Sequence, residues 1–232
     1  MEQKLPRHIA AIMDGNGRWA TMKGRRRSAG HKRGAEVFEE AVDHMADLGI
    51  EAFTVHAFAM NNWNRNQLEV RLLMQLLSRY IRRKKSKMLD RGVRLRFIGN
   101  RDDVRMLRPL LRQMEEIESA TEHCNTLMLQ IAVNYSGEDE VRRATSQMLS
   151  SGTEDLFPYL DLPSLGLPNP DIVIRTGLEE GVWRDSGFLP LSTMSAVKVP
   201  MTLLWPDFGL KHINDAIRRW QNEAHLSGGQ RT

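Results

Sequence analysis

Short apolar runs and helix-period segments alternate along almost the whole chain, and that alternation constrains the fold more than any other feature. Residues 8–13, 52–59, 93–99, 126–135, 171–175 and 201–204 have the length and apolar character of buried strands. Between the first two, Ala35, Val37, Phe38, Ala41, Val42, Met45 and Leu48 recur at helical spacing and stop at Gly49, a C-terminal cap. Further helices are expected over 68–90, 103–121, 138–150 and 213–224, and 151–170, with its prolines, reads as loop. Strands that alternate with helices pair in parallel through crossovers. The expected fold is therefore a single α/β domain over 1–232, with helices on both faces of one open sheet.

In such sheets ligands sit beyond the carboxyl ends of the strands, which here carry Asp14, residues 61–65, Asn134 and Arg175. The first of these ends is the most informative. Asp14-Gly15-Asn16-Gly17-Arg18-Trp19 follows the strand directly, and its two glycines free the backbone to turn N–H groups toward an anion. Arg25, Arg26, Arg27, His31 and Arg33 come next and add charged donors suited to a diphosphate. A carboxylate beside such a cluster makes sense if it holds Mg²⁺ against phosphate oxygens, which makes Asp14 the candidate ligand. Gly15-x-Gly17-x-x-Ala20 also fits the dinucleotide fingerprint formally. That reading fails on the Asp before the first glycine, on the arginines that interrupt the following helix, and on a second strand that ends without a ribose-binding acid.

Charge supports an anionic partner: 33 Lys+Arg against 29 Asp+Glu leave +4, concentrated at 23–33 and 82–87. Nucleic acid is excluded as the partner, because no zinc-finger or RNA-recognition signature accompanies the clusters and aromatics are only 6%. The lone Cys124 permits no internal disulfide, and no apolar stretch approaches a membrane span. A reducing, cytoplasmic setting is expected, with the basic surfaces open to transient, peripheral contact with a membrane.

At this point the residues resemble the cis-prenyltransferases, the undecaprenyl diphosphate synthase group. The likeness is carried in order by His8-Ile-Ala-Ala-Ile-Met-Asp14-Gly-Asn-Gly-Arg18-Trp19, Arg27-x-x-Gly30-His31-x-x-Gly34, Asn62-Trp63-x-Arg65, Val93-Arg-Leu-Arg-x-Ile-Gly99, Asn134-Tyr135-x-Gly137, Asp171-x-x-Ile-Arg175-Thr-Gly177 and Leu204-Trp205-Pro206-Asp207-Phe208. The resemblance implies a doubly wound sheet of about six mostly parallel strands, a hydrophobic tunnel and a homodimer. It implies Mg²⁺ at Asp14, and an allylic prenyl diphosphate held by Gly15, Asn16, Gly17, Arg18, Arg27 and His31. Trp19 and Trp63 join the substrate-binding set on the same ground, although large aromatics usually serve packing. Asn62 and Arg65 would lie near the reacting carbon. Arg175, Arg184 and Ser186 would hold the diphosphate of isopentenyl diphosphate, the second substrate. Ala57, Met74, Leu77 and Ile81 are candidates for a tunnel wall.

Departures from the family pattern cluster in the second half of that set. Ala59-Met60-Asn61-Asn62-Trp63 stands where Ser-x-Glu-Asn-Trp is usual, Asn66 replaces a proline, Leu178 intervenes, and Arg184 arrives late. Val197 occupies the place of a metal-binding glutamate, and 225–229 lacks the arginine of a C-terminal Arg-x-Gly-Gly. Elongation of a cis-prenyl chain is the first expectation. Cyclisation or irregular coupling of allylic units, and an accessory role beside a complete homologue, are the alternatives.

Overall fold

The computed structural model describes residues 4–228. Strands β1 (His8–Ile12), β2 (Ala52–Ala59), β3 (Val93–Ile98), β4 (Leu127–Tyr135), β5 (Ile172–Arg175) and β6 (Val197–Pro200) form one sheet, parallel throughout, in the order β3-β4-β2-β1-β5-β6. Helices α1 (Asn16–Met22), α2 (Arg27–Leu48), α3 (Gln67–Asp90), α4 (Arg108–Ala120), α5 (Gly137–Ser150) and α6 (Leu210–Gly228) connect them or follow. An all-parallel sheet must be covered on both faces, so its strands read as continuous apolar runs rather than alternating ones. The β1 segment HIAAI is buried at every position.

The two covers differ. On one face α2 contributes Val37, Ala41 and Met45, α3 Met74 and Ile81, α4 Met114 and Ile117, and α6 Ile213, all buried against Ile9, Val55, Leu95 and Ile174. The other face meets Leu162 of the segment between α5 and β5, and Phe188, Leu189 and Ala196 of the segment between β5 and β6, packed on Ala10, Ala132 and Val173. Helical cover is thus heavy on one side, whereas irregular chain does most of the work on the other.

Several sequence-based boundaries move. The last strand is Val197–Pro200, not 201–204: its register runs from Ile172 opposite Val197 to Arg175 opposite Pro200. Lys198 hides it from an apolar scan. Residues 201–204 instead clasp the end of β5, Met201 N–H donating to Arg175 O and Gly177 N–H to Leu203 O. Helix α2 begins at Arg27, eight residues before the apolar pattern starts, and α1 lies in a stretch read as loop. Helix α4 begins at Arg108 because Asp103 Oδ1 accepts the Arg105 N–H in a local turn and Pro109 sits in the first helical turn. The 151–170 loop contains short 3₁₀ turns at Phe157–Tyr159 and Pro163–Leu165.

A buried polar row crosses the strands at the foot of the sheet. His8 Nδ1 is 2.7 Å from Pro168 O, His8 Nε2 is 2.7 Å from Thr54 Oγ1, and Thr54 Oγ1 is 2.6 Å from Gln130 Oε1. Burial pushes the His8 imidazole from its ordinary 6.5 down to about 4. The unfolded chain then takes up the proton first, so His8 contributes stability that is complete above pH 6.5 and is lost as pH falls toward 4. The urea midpoint is expected to decline across that window, and His8→Gln should flatten the decline. An equal slope in the variant would remove His8 as a cause.

Candidate active site

β1 lies between β2, reached through α1 and α2, and β5, reached much later through α5. Chain connections therefore diverge at the β1–β5 boundary, the kind of switch point where parallel sheets open a crevice. A cavity of about 270 Å³ lies there, lined by residues from the ends of β1, β2 and β5 and the starts of α1 and α2.

The cradle follows from glycine. Gly15 has φ +102°, and a Cβ there would come within 2.6 Å of Leu204, so the turn out of β1 accepts only glycine without strain. At Gly17 a Cβ would stand 2.5 Å from the Arg27 guanidinium carbon, so its absence lets that side chain lie over the backbone of α1. Gly30 brings α2 closer still, since a Cβ there would stand 1.9 Å from the Asn16 carbonyl oxygen. Asn16 Nδ2 donates to Met13 O, whereas its Oδ1 is buried without a partner among the described residues.

Asp14 sits at the centre. Its Oδ1 accepts the Gly15 N–H at 2.6 Å, and its Oδ2 lies 3.4 Å from Arg18 and 3.5 Å from Arg175. Arg18 also donates to Gly177 O, and Arg175 donates to Ser186 Oγ and to the Arg184 backbone oxygen. Glu69, in the first turn of α3, gathers three basic groups that do line the cavity. Arg27 reaches both its oxygens at 3.1 Å, Arg65 lies at 3.0 Å, and His31 Nε2 at 3.4 Å. Burial alone would raise the Glu69 pKa, but hydrogen bonds and charge from Arg27 and Arg65 outweigh it and hold the carboxyl below its usual range. For His31 burial dominates and lowers the pKa despite Glu69.

Most of the residues picked from the sequence converge here: Asp14, Gly15, Asn16, Gly17, Arg18, Arg27, His31, Asn62, Arg65, Arg175 and Ser186 line the cavity. Others do not. Trp19 is buried, its Nε1 donating to Asp207 and its ring carrying Lys23, and it serves as packing between α1 and the 205–208 turn. Trp63 donates to Asn134 Oδ1, packs edge-on to Phe58, and faces a separate groove of about 1060 Å³ between α3 and α4. The Arg184 side chain is exposed and off the cavity wall, contributing its carbonyl alone. Val197 pairs with Ile172, three residues and about 10 Å of strand before the crevice, so a valine there removes no carboxylate from beside Asp14. The terminal Gly228-Gly229 pair falls at the edge of the structure, and Gly229 lies outside the described residues.

Glu69 and His56 were missed from sequence. The signal for Glu69 was its place four residues after Arg65, behind the Asn66 cap. Nothing in the apolar run of β2 marked His56. Beside the crevice lies an apolar cavity of about 140 Å³ that shares Met13, Asn16, His31, His56, Ala57 and Leu73 with it. Of the tunnel-wall candidates, Ala57, Met74 and Leu77 line this cavity, and Ile81 is buried in the core away from it.

The chain matches a family model described as putative undecaprenyl diphosphate synthase over residues 12–228. It is 42% identical over 229 residues to an isoprenyl transferase of Aquifex aeolicus, covering 94% of this chain and 96% of that one. It is similar in structure to a probable undecaprenyl diphosphate synthase from Campylobacter jejuni, with TM-score 0.78, 25% identity, and coverage of 94% and 96%. It shares its fold with lavandulyl diphosphate synthase from Lavandula x intermedia, with TM-score 0.85, 23% identity, and coverage of 94% and 95%.

Arg27 lies on the cavity wall with its guanidinium held by the Glu69 carboxylate. Calorimetry with inorganic pyrophosphate is expected to show binding weakened about tenfold by Arg27→Ala, the worth of a charged hydrogen bond, and tightened by Glu69→Gln, which removes a competing carboxylate. Unchanged affinity in Arg27→Ala would place that guanidinium outside the site.

Proposed function

The chain belongs to the undecaprenyl diphosphate synthase family of prenyl-transferring enzymes, and from that membership we propose that it condenses an allylic prenyl diphosphate with isopentenyl diphosphate to a cis-prenyl diphosphate, using Mg²⁺. The observation that carries this reading is the junction of a strongly basic crevice with an apolar cavity through shared residues. A molecule with a diphosphate head and a hydrocarbon tail needs both.

In this reading the backbone around Gly15 and Gly17, with Arg27 and His31, holds the allylic diphosphate, and its tail enters the cavity lined by Phe38, Leu73 and Leu77, the start of a tunnel. Arg175 and Ser186 hold the second diphosphate across the crevice, so that two anions flank the reacting carbons. Arg65 and Asn62 close the side nearest α3. Donors fixed before the substrate arrives stabilise charge that grows on the leaving diphosphate without reorganisation.

Asp14 suits a magnesium ion. Among the described residues no group of three or more His, Cys, Asp or Glu could cage a metal, but magnesium commonly takes one or two carboxylates and completes its shell from phosphate and water. Bound there, Mg²⁺ would neutralise charge on the departing diphosphate.

The same reading places the enzyme in the cytoplasm as a single-domain homodimer that touches membranes transiently. Among the described residues no helix is long and apolar enough to cross a membrane. Lys84 and Lys87 in the basic run are paired with Glu39 and Asp43 of α2, which leaves Arg82, Arg83 and Lys85 as exposed cations.

The test is incubation of purified protein and Mg²⁺ with dimethylallyl, geranyl or farnesyl diphosphate, with and without isopentenyl diphosphate. Elongated product that requires isopentenyl diphosphate is expected, and product formed from the allylic substrate alone would favour cyclisation or irregular coupling. Asp14→Ala should lower kcat at least about 10²-fold while the unfolding midpoint stays near wild type. Full turnover in that variant would refute the assignment of Asp14.

A further inference from the structure

His56 takes no part in the roles above, yet it stands where both cavities meet. It ends the regular part of β2, opposite Ile12 of β1 and Ala132 of β4, and it lines the basic crevice and the apolar cavity alike. Its ring is fixed by stacking on Phe188, with centroids 4.7 Å apart and planes 5° from parallel, and by edge contact with Tyr135 at 5.6 Å. One ring nitrogen bonds the Tyr135 backbone, whereas Nε2 is buried without a hydrogen-bond partner among the described residues. Buried polar atoms are paired in the great majority of cases, so an unpaired one on a cavity wall asks for a ligand or a reaction. Burial, reinforced by the Arg175 charge, lowers the imidazole from 6.5 to about 4 and keeps its lone pair free at neutral pH.

We propose that His56, through Nε2, accepts the proton released in the condensation. This rests on the reading of the site given under Proposed function. The C1–O bond of the allylic substrate breaks and its electron pair leaves with the diphosphate. The double bond of isopentenyl diphosphate supplies the pair for the new bond from its C4 to C1. The tertiary cation that results loses a proton from C2, the C–H pair becomes the new double bond, and the proton goes to Nε2 and from there to solvent. A proton next to a carbocation is strongly acidic, so a weak base suffices, and a weak base stays unprotonated between turnovers. Position agrees with this role. The reacting carbons join diphosphate to tail, and His56 borders both the anion-holding residues and the tail cavity.

The test uses His56→Phe, which keeps the stack on Phe188, and His56→Gln, which keeps a polar side chain without a basic nitrogen. Both are expected to lose about 10²-fold in kcat, with KM for both substrates near wild type. With isopentenyl diphosphate deuterated at C2, the isotope effect on kcat should rise in the variants, because proton loss becomes rate-limiting; a purely structural role would not change it. Wild-type kcat and an unchanged isotope effect in a folded variant overturn the assignment of His56 alone. Absence of condensation product from the wild type overturns the elongation reading and this assignment with it.

Discussion

Everything at the crevice depends on β1 being held between two parallel neighbours drawn from distant parts of the chain. Asp171 Oδ2 accepts the backbone N–H groups of both Arg7 and His8, at 2.7 and 3.0 Å, and so sets the β1–β5 register before the ladder begins. On the other side His8 meets Thr54 of β2, and Thr54 meets Gln130 of β4. A one-residue slip would turn buried side chains to the wrong face. These polar contacts forbid it, and Asp14 therefore leaves the sheet level with Arg175.

That alignment creates an electrostatic problem. Arg18, Arg27, Arg65 and Arg175 are brought to one crevice, where like charges repel and neighbouring protein displaces water. Two carboxylates relieve it in different ways. Asp14 lies between Arg18 and Arg175 at ion-pair distance, whereas Glu69, whose side chain is 14% exposed, hydrogen-bonds to Arg27 and Arg65 directly. Partly exposed pairs of this sort add little to stability. Their effect is positional, because each guanidinium is held at the crevice wall.

The irregular face contributes through a network of its own. Tyr135 donates to Glu140 Oε2 and accepts the Leu189 N–H, Glu140 Oε1 accepts the Asp161 N–H, and Arg143 binds Asp161 with two nitrogens. Burial raises the Glu140 pKa, although its hydrogen bonds to Tyr135 and Asp161 act the other way. This network ties the segments on either side of β5 to the sheet, and Leu162, Phe188 and Leu189 are buried there. Phe188 is thereby held under His56, and Ser186, with φ +52°, is turned toward Arg175.

Local signals were enough for much of this. Apolar runs located five of the six strands, helical spacing located the body of α2 and α3, and two glycines after an apolar strand marked the cradle, since these follow from period and from φ freedom. Asp14 and Arg175 were legible because charged groups at strand ends have few other uses, and Arg27 because it belongs to a basic run just after the glycine loop. What no local rule could supply was adjacency. The indoles of Trp19 and Trp63 donate to partners more than seventy residues away, Arg184 turns outward, and Val197 begins a strand whose position in the sheet puts it a strand-length from the crevice. Glu69 and His56 enter the site for the same reason: their roles arise from which elements lie side by side, and parallel pairing across long crossovers is settled by the packing of the whole sheet.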